Sequence, residues 1–478
     1  MRNLPVEIVS EIFLQCLDKD PLAIGLQPLE APLVLTHVCR QWRRIALNHR
    51  RLWAWMGLQI LPSSEVSQTQ FQLLQDIFVK TSRTLPILKL QLLQQKGPRD
   101  DGQQRIEAGP NGTSIFLESI GQSLTRLTLT GVSSQDLIPL PPNQFPSLER
   151  LVLGIVEFDV GDEQQPSVSA FEGCPHLRRV ALRRRRYTPF FPVDRQVEVA
   201  LPWHQITHYI SECFMAKPHF FTEHLAKAQA LQCLHFTVDH PTDEERRALA
   251  EMEGSIVLGQ LEHLSVIFDN FYDEEGNAFG GIFYPTFWEK FEFPNLKGIR
   301  LWVTYLGTFP EAHPAFFDKL SQLQNVHYLS IGYDDHDNLD LLELLSWALP
   351  KVTTLDVLLD LGQHKLFPAL SNIRERDPPS AFPNLQEIVM EDGRWVGLGR
   401  YLDQVTELRR VIVYAHQEGP LKHEQEYAQR ARGHGGNKFD LEIRPVRKGR
   451  HHNIPRGWWI HHDPWLQDWQ EVSGLWAY

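Results

Sequence analysis

The C-terminal segment of the sequence contains a histidine cluster with the residue types of a metal site. The stretch NIPRGWWI is flanked by His451, His452, His461 and His462, and Asp463 comes next in the chain. Imidazole and carboxylate groups are common ligands of transition metals, but adjacent histidine pairs seldom converge on one tetrahedral centre without further help. We therefore assign no metal and expect no cofactor. A metal- or small-molecule-binding enzyme or sensor is kept as an alternative.

The same segment is rich in tryptophan. Such density is typical of the sealed end of a hydrophobic core, although an exposed subset could anchor a protein partner. The segment holds five of the 13 tryptophans, namely Trp458, Trp459, Trp465, Trp469 and Trp476. We expect them to close the end of the molecule.

Common signatures of catalytic sites are missing from the sequence. There is no G-x-x-x-x-G-K phosphate loop, no G-x-S-x-G nucleophile turn and no H-E-x-x-H zinc motif. The acidic run DDHDN at 334–338 lacks the glycine and the distal glutamate of a calcium-binding EF-hand loop. We interpret that run as a solvated strand-to-helix turn, and we expect a non-catalytic protein.

Composition and charge are those of an ordinary globular protein. The 478 residues include 42% hydrophobic and 22% charged side chains, and the net charge of −12 gives no global reason to expect nucleic acid as a partner. The N-terminal residues lack the pattern of a secretory signal, and no run of about eighteen apolar residues could span a membrane. We expect an intracellular protein, in the cytoplasm, the nucleus or both.

Amphipathic helical segments occupy the first 56 residues. The stretch LPVEIVSEIFLQCL predicts a helix that begins at Pro5, with Leu4, Ile8, Ile12 and Phe13 along one side. The stretch APLVLTHVCRQWRRIALN has apolar residues at steps of three and four, which also predicts helix. A module this small leaves much apolar surface exposed, so another surface must cover it. The alternative is that these helices are only an N-terminal cap on a larger domain.

These residues resemble an F-box, in the version found in the large F-box families of mushroom-forming fungi. The pattern L-P-x-E-I-x-x-x-I-F is followed by V-C-x-x-W-R-x-I-A and then by L-W. The resemblance implies a small all-α module that binds the Skp adaptor of a cullin-RING ubiquitin ligase. The implied F-box positions are Leu4, Pro5, Ile8, Ile12, Leu33, Val38, Cys39, Trp42, Leu52 and Trp53. The resemblance implies that Trp42 and Trp53 form the core, and that the adaptor contacts are Leu4, Pro5, Ile8, Ile12 and Leu33.

The middle of the chain repeats the phrase L-x-x-L-x-L. Copies begin at residues 124, 148, 177, 231, 261, 296, 326, 352, 385 and 408, and a weaker copy begins at 206. The apolar first, fourth and sixth positions, with room for a helix and two turns between copies, predict a solenoid. The copies resemble leucine-rich repeats of irregular length. The alternative is an ordinary α/β domain with a parallel sheet.

The predicted fold class is an α/β repeat, in which a small all-α F-box is followed by an irregular leucine-rich-repeat-like solenoid. We assign the F-box to residues 1–56 and a coupling helix and loop to 57–122, with a first strand at LPILKLQLL. The solenoid is assigned to residues 123–415, and a C-terminal cap to 416–478.

The third, fifth and seventh positions of each phrase point away from the predicted core, onto a face that repeat proteins commonly present to ligands. Guanidinium groups suit carboxylate and phosphate, so we expect an acidic or phosphorylated target segment near the first three repeats. The alternative is a solvated basic edge paired with acids such as Glu149 and Glu172. The expected target-binding residues are Arg126, Arg150, Arg179, Arg183, Arg300, Trp302 and Tyr328.

The resemblance and the repeats lead to one functional hypothesis. The chain would be the substrate-recognition subunit of an SCF-type ubiquitin ligase complex, acting in the ubiquitin conjugation pathway through protein binding alone. Its expected partners are the Skp adaptor with its cullin complex and an unidentified target protein, without a membrane or nucleic acid. The alternative is a binding scaffold that works outside the ligase.

Overall fold

The computed structural model describes the N-terminal helices and much of the repeat region. The described residues are 4–17, 31–53, 55–60, 87–92, 112–155, 167–184, 198–212, 220–238, 247, 250–268, 283–303, 314–333, 339–359, 366–376, 382–391, 401, 407–415 and 440–445. The chain divides into two compact units, Met1–Phe214 and Met215–Tyr478. This division falls within the segment assigned to the solenoid, whose boundaries stay a prediction.

Short helices begin the first unit. In chain order they are α1 Val6–Gln15, α2 Leu33–His37 and α3 Arg40–Asn48, followed by a 3₁₀ turn at Arg50–Leu52. Pro5 precedes α1 with a φ of −54°, a value already suited to a helix. Cys39 caps α3, because its Sγ accepts a hydrogen bond from the backbone N–H of Trp42 at 3.4 Å. Both α1 and α2 pack against α3.

Parallel strands follow these helices in the first unit. In chain order they are β1 Trp55–Ile60, β2 Ile87–Leu92, β3 Arg126–Val132, β4 Arg150–Ile155, β5 Ser167–Val168, β6 Arg179–Arg184, β7 Glu198–Val199 and β8 His208–Glu212. The main sheet has the order β1-β2-β3-β4-β6-β8, and its neighbouring strands run parallel. The short strands β5 and β7 pair with each other.

Helical segments connect these strands. They are α4 Gly112–Ile120 with a 3₁₀ turn at Gly121–Ser123, α5 Ser134–Leu137, and a 3₁₀ turn at Trp203–Gln205. Ser133 and Asp136 form a capping box at the start of α5, which satisfies backbone N–H groups at the helix end. Gln144 donates from Nε2 to the carbonyl of Leu117 at 2.8 Å, which ties a later turn to α4.

The second unit contains a second series of parallel strands. They are β9 Cys233–Val238, β10 Ile256–Val257, β11 His263–Phe268, β12 Phe291–Glu292, β13 Gly298–Val303, β14 Tyr328–Tyr333, β15 Thr354–Leu359, β16 Glu387–Glu391, β17 Arg410–Ala415 and β18 Asp440–Pro445. The main sheet of this unit has the order β9-β11-β13-β14-β15-β16-β17-β18, with parallel neighbours throughout. The short strands β10 and β12 pair with each other.

Helices of the second unit pack on one side of its sheet. They are a π-helical turn at Phe220–Leu225, α6 Phe283–Lys290, α7 Pro314–Ser321, α8 Leu339–Ala348 and α9 Leu366–Arg376. The ring of Phe236 on β9 lies 5.7 Å from that of Phe287 on α6, and Trp288 lies 5.2 Å from Phe316 on α7. The first pair joins a helix to a strand and the second joins two helices, and aromatic pairs at these distances add stability beyond area burial.

The core follows the alternation of the repeat phrase. Fourth-position residues such as Leu127 and Leu151 in the first unit, and Leu264, Ile299 and Leu329 in the second, are at most 1% exposed. Successive side chains of a strand point to opposite faces, so these residues share the face on which the helices pack. The apolar positions of the phrase are therefore the buried positions of the sheet.

The α/β repeat prediction is confirmed at the level of architecture. Every copy of the phrase, including the weak one at 206, lies on a strand of a parallel sheet. Within each unit the strand order follows the chain order, apart from the small two-stranded pairs, as expected for a solenoid rather than for a doubly wound sheet. The strand predicted at LPILKLQLL is present as β2.

In the main sheets of the two units, the described strands β1 and β18 match no strand predicted from the sequence. Strand β1 follows the N-terminal helices directly, and β18 lies within the segment assigned to the cap. Neither carries the full L-x-x-L-x-L phrase, so the repeat pattern could not find them. Among the described residues, no helix is long and apolar enough to cross a membrane.

Candidate protein-binding surfaces

An apolar stripe on α1 faces solvent. It consists of Leu4, Ile8 and Ile12, which are 39%, 50% and 38% exposed. Ile8 and Ile12 are one turn apart, a spacing that places both on one face of the helix. Val38, after α2, is 56% exposed, and Pro5 is also exposed. These are large apolar side chains in contact with water, which in a stable protein commonly mark a binding site.

The opposite face of α1 is packed, and Phe13 belongs to this face, not to the side of the apolar stripe, where the helical spacing predicted it. Val9 and Phe13 are buried, and the ring of Phe13 lies 4.9 Å from the half-buried ring of Trp42 on α3. Trp53 is buried and donates from its indole N–H to the carbonyl of Ala46 at 2.8 Å. The helix therefore has one side that holds the module together and one side that this fold leaves uncovered.

One expected adaptor contact is not on the exposed side. Leu33 is only 7% exposed and lies with Leu35, Ile45 and Leu52 among the buried residues of the module. We correct its expected role accordingly: its side chain packs in the core, where a partner would not reach it. Cys39, in contrast, is exposed beside the start of α3.

Three arginines lie side by side at the third position of successive repeats. Arg126 on β3 is opposite Arg150 on β4, and Arg150 is opposite Arg179 on β6. All three are half-buried, and His208 continues the row on β8. We call Arg126, Arg150 and Arg179 the arginine row. Because neighbouring strands are about 4.8 Å apart, the row concentrates positive charge within about 10 Å.

The remaining predicted arginine of this region is placed only by its backbone. Arg183 lies on β6, opposite Gly154 of β4 and Glu212 of β8. Its side chain lies outside the described part of the chain. The structure thus brings three of the four predicted arginines of the first repeats together and gives the register of the fourth.

A second row of polar residues crosses the sheet of the other unit, at the fifth position of the phrase. The strand register aligns His235, Ser265, Arg300, Ser330 and Asp356 on β9, β11, β13, β14 and β15. We call these residues the buried polar row, because each is at most 1% exposed. Buried polar groups require hydrogen-bond partners, since leaving them unpaired is costly.

Hydrogen bonds join members of this row. The hydroxyl of Tyr328 donates to Oδ2 of Asp356 at 2.6 Å, and that of Ser330 donates to the same oxygen at 3.2 Å. Nδ1 of His235 lies 2.7 Å from Oγ of Ser265. Charge-assisted hydrogen bonds to a buried carboxylate are among the stronger polar contacts in proteins. The row therefore binds neighbouring strands to one another.

The burial of this row corrects an expectation from the sequence. Arg300 is 0% exposed and Tyr328 is 6% exposed, so neither offers a surface to a target in this conformation. The side chain of Trp302 lies outside the described part of the chain. The alternation predicts the face on which a residue lies, but burial depends on what covers that face.

His235 is neutral at ordinary pH. Burial, together with the smaller effect of the nearby positive charge of Arg300, lowers its pKa to about 3. A histidine this weakly basic does not activate Ser265 as a nucleophile near neutral pH, although the two atoms are within hydrogen-bonding distance. The pair is explained as a structural contact.

Close packing on the same side of the sheet also fixes a glycine. A Cβ atom on Gly298 would lie 2.7 Å from Nδ1 of His263 on the neighbouring strand. A real side chain needs more room, so the histidine ring occupies space that only glycine leaves open.

The sequence analysis did not identify four of these residues, namely His235, Ser265, Ser330 and Gly298. The only signal in the sequence was the presence of polar or small residues inside an apolar phrase.

The predicted C-terminal features and the acidic run of the repeat region lie outside the described residues. These are the histidine cluster at 451–463, the tryptophans between 458 and 476, and the acidic run at 334–338. Within the described residues, no group of three or more histidine, cysteine, aspartate or glutamate side chains could hold a metal ion.

The strand order and register define an α/β solenoid-like protein with an exposed apolar helix face. No protein-family model and no curated protein matches the chain. It is similar to a solved Bacteroides fragilis protein at 13% identity and a TM-score of 0.29, and the match covers 62% of this chain. The chain spans 66% of that protein, just under two thirds. A likeness this weak carries no argument, and the architecture is argued from the strands themselves.

Proposed function

We propose that this protein is the substrate-recognition subunit of an SCF-type cullin-RING ubiquitin ligase. Residues 1–56 act as an F-box that binds the Skp adaptor, and the repeats within 123–415 hold a target protein. The protein carries out no bond chemistry. It contributes proximity, because holding a target beside the ubiquitin-charged enzyme raises the effective concentration of its lysines.

The observation that carries this proposal is the exposed apolar stripe. Leu4, Ile8 and Ile12 are positions that the F-box resemblance assigns to adaptor contact, and their side chains are exposed. Fully burying a leucine or isoleucine side chain contributes about 1.5 to 3 kcal/mol. Because these three are already partly covered, a partner would gain a fraction of that at each. A helix face of this kind suits a protein partner with an apolar groove.

The two faces of α1 have different roles, and this separation supports the same function. The packed side, with Phe13 against Trp42, keeps the helix in place without the stripe. A substitution on the stripe therefore changes binding with little effect on folding. This separation makes the proposal testable by mutation.

The test is capture of purified Skp adaptor, and of adaptor with cullin, by the full chain. We expect the wild-type chain to capture both, and the variant L4D/I8D/I12D to capture neither. The matched control is I115D/I138D/V257D, since these residues are also exposed large apolar side chains but lie elsewhere. It should bind like wild type.

Two results would overturn the proposal. One is a wild-type chain that captures no adaptor, and the other is an L4D/I8D/I12D variant that captures it as well as wild type. Capture of the adaptor without cullin would identify a scaffold that works outside the ligase.

A further inference from the structure

We propose that two exposed arginines of α3 attract an acidic surface of the Skp adaptor and speed its association with the chain. This inference rests on the proposed function, because it names the chemistry of the adaptor surface that borders the apolar stripe. It concerns Arg40 and Arg44, which we call the arginine pair. Both side chains are exposed and lie one turn apart, so they share one face of α3.

The N-terminal module is basic within an acidic chain. Residues 31–53 contain five arginines and no lysine, aspartate or glutamate, whereas the whole chain has a net charge of −12. Two of these arginines have partners inside the module: Nε of Arg43 donates to the carbonyl of Thr36 at 2.8 Å, and Nη1 of Arg51 lies 3.9 Å from Oε2 of Glu11. Within the described residues, no ion pair includes either member of the arginine pair.

The arginine pair does not stabilise the helix that carries it. Arg40 is the first residue of α3, where a positive charge opposes the helix dipole, and the first turn contains no acid. Like charges four residues apart on a helix also repel each other. Carboxylates of a partner would offset both effects. Exposed charges that weaken their own helix are expected where a protein binds another molecule.

The pair borders exposed apolar surface of the same module. Val38 is 56% exposed and comes two residues before Arg40. The ion pair between Glu11 and Arg51 joins α1, which carries the apolar stripe, to the turn that follows α3. Protein interfaces commonly have an apolar centre and a charged rim, and rim charges mainly raise the rate of association. One partner can therefore use both surfaces.

A protein fits this surface better than a nucleic acid or an anionic membrane does. A long polyanion meets the field of the whole chain, whose net charge of −12 repels it. A small acidic patch on a protein meets only the local charge, because physiological salt screens exposed charges beyond about 8 Å. The exposed apolar side chains also need an apolar partner surface. The occupant is therefore an adaptor surface on which aspartate or glutamate side chains border an apolar groove.

The test measures the association rate of purified Skp adaptor with the full chain by stopped-flow fluorescence. At about 0.1 M salt, the variant R40E/R44E should associate at least about tenfold more slowly than wild type. At about 1 M salt, where the screening length is about 3 Å, the two should differ by less than about twofold. The variant R40K/R44K keeps both charges and should associate like wild type.

The matched control is R247E/R409E, which reverses the charge of two exposed arginines of the second unit. It changes the net charge by the same amount and should associate within about twofold of wild type at about 0.1 M salt. Thermal unfolding shows whether the variants fold. R40E/R44E should unfold at the wild-type temperature or above it, because glutamate suits the start of a helix. If R40E/R44E unfolds at a lower temperature, R40Q/R44Q decides the matter.

Three results would overturn the inference. They are association of R40E/R44E at the wild-type rate at about 0.1 M salt, an equal loss in R247E/R409E, and a loss that persists unchanged at about 1 M salt. Binding of a single-stranded oligonucleotide or of phosphatidylserine vesicles that R40E/R44E abolishes, while adaptor association stays at the wild-type rate, would assign the pair to that other partner. A wild-type chain that binds no adaptor refutes the proposed function and this inference together, whereas unchanged association of R40E/R44E refutes only this inference.

Discussion

The arginine row of the first unit and the buried polar row of the second occupy outward positions of the same repeat phrase, yet they differ in exposure. Arg126, Arg150 and Arg179 are half-buried and stand beside like charges. Arg300 and Asp356 are fully buried, and Asp356 accepts hydrogen bonds from Tyr328 and Ser330. The comparison teaches that the outward positions of the phrase can either leave charged side chains partly exposed or join neighbouring strands through buried polar contacts.

The largest effect is expected from Asp356→Ala. This change removes the acceptor used by Tyr328 and Ser330 and leaves two hydroxyl groups buried without it. We expect the free energy of unfolding to fall by about 3 to 5 kcal/mol, measured by denaturant titration. Asp440→Ala, at an exposed acid of the same sheet, is the control and should cost under about 0.5 kcal/mol. Equal effects of the two changes would contradict the role of the row.

Gly298→Ala tests the close packing around the buried polar row. The added Cβ would lie 2.7 Å from Nδ1 of His263, so the ring or the strand must shift. We expect a loss of about 1 to 3 kcal/mol. Gly259→Ala meets nothing within 4 Å and should be close to neutral. If Gly298→Ala leaves the free energy of unfolding unchanged, this part of the sheet can accommodate the added methyl group, and the close packing is contradicted.

The pH dependence of stability tests the burial of His235. Its folded pKa of about 3 lies below the ordinary value of 6.5, so the unfolded chain takes up a proton that the folded chain does not. This contribution to stability is complete above pH 6.5 and is lost as the pH falls toward 3. Between neutral pH and pH 5.5 we expect a loss of about 1.4 kcal/mol from this residue. The His235→Asn variant should therefore lose less stability than wild type as the pH falls. If the pH dependence of its stability is the same as that of wild type, the burial of a neutral His235 is contradicted.

The smallest effect is expected from the arginine row. Arg126→Ala removes a half-buried side chain and relieves like-charge repulsion. The free energy of unfolding should therefore change by less than about 0.5 kcal/mol in either direction. Thermal unfolding of the variant beside wild type checks this. A loss comparable to that of Asp356→Ala would mean that the two rows have the same structural role.

The sequence predicts much of the architecture because the apolar period is a local property. Leu127, Leu151 and their equivalents mark the strands, and the faces follow from alternation. Exposure is not local. Arg300 and Tyr328 are buried by their surroundings in three dimensions, and no pattern within one repeat records those surroundings.

The N-terminal module shows the same limit on a smaller scale. Helical spacing places Ile8 and Ile12 on one face of α1, and both side chains are exposed. Leu33 fits the same sequence pattern and is buried. Only the packing of α2 against α3 separates the two cases.

Hydrogen exchange of the full chain, with and without purified Skp adaptor, tests the central claim most directly. We predict that adaptor slows exchange of the backbone amides in 4–17, around the exposed stripe, while those of β13–β15 are unaffected. Unchanged exchange in 4–17 at saturating adaptor, or protection confined to the repeats, would contradict the account.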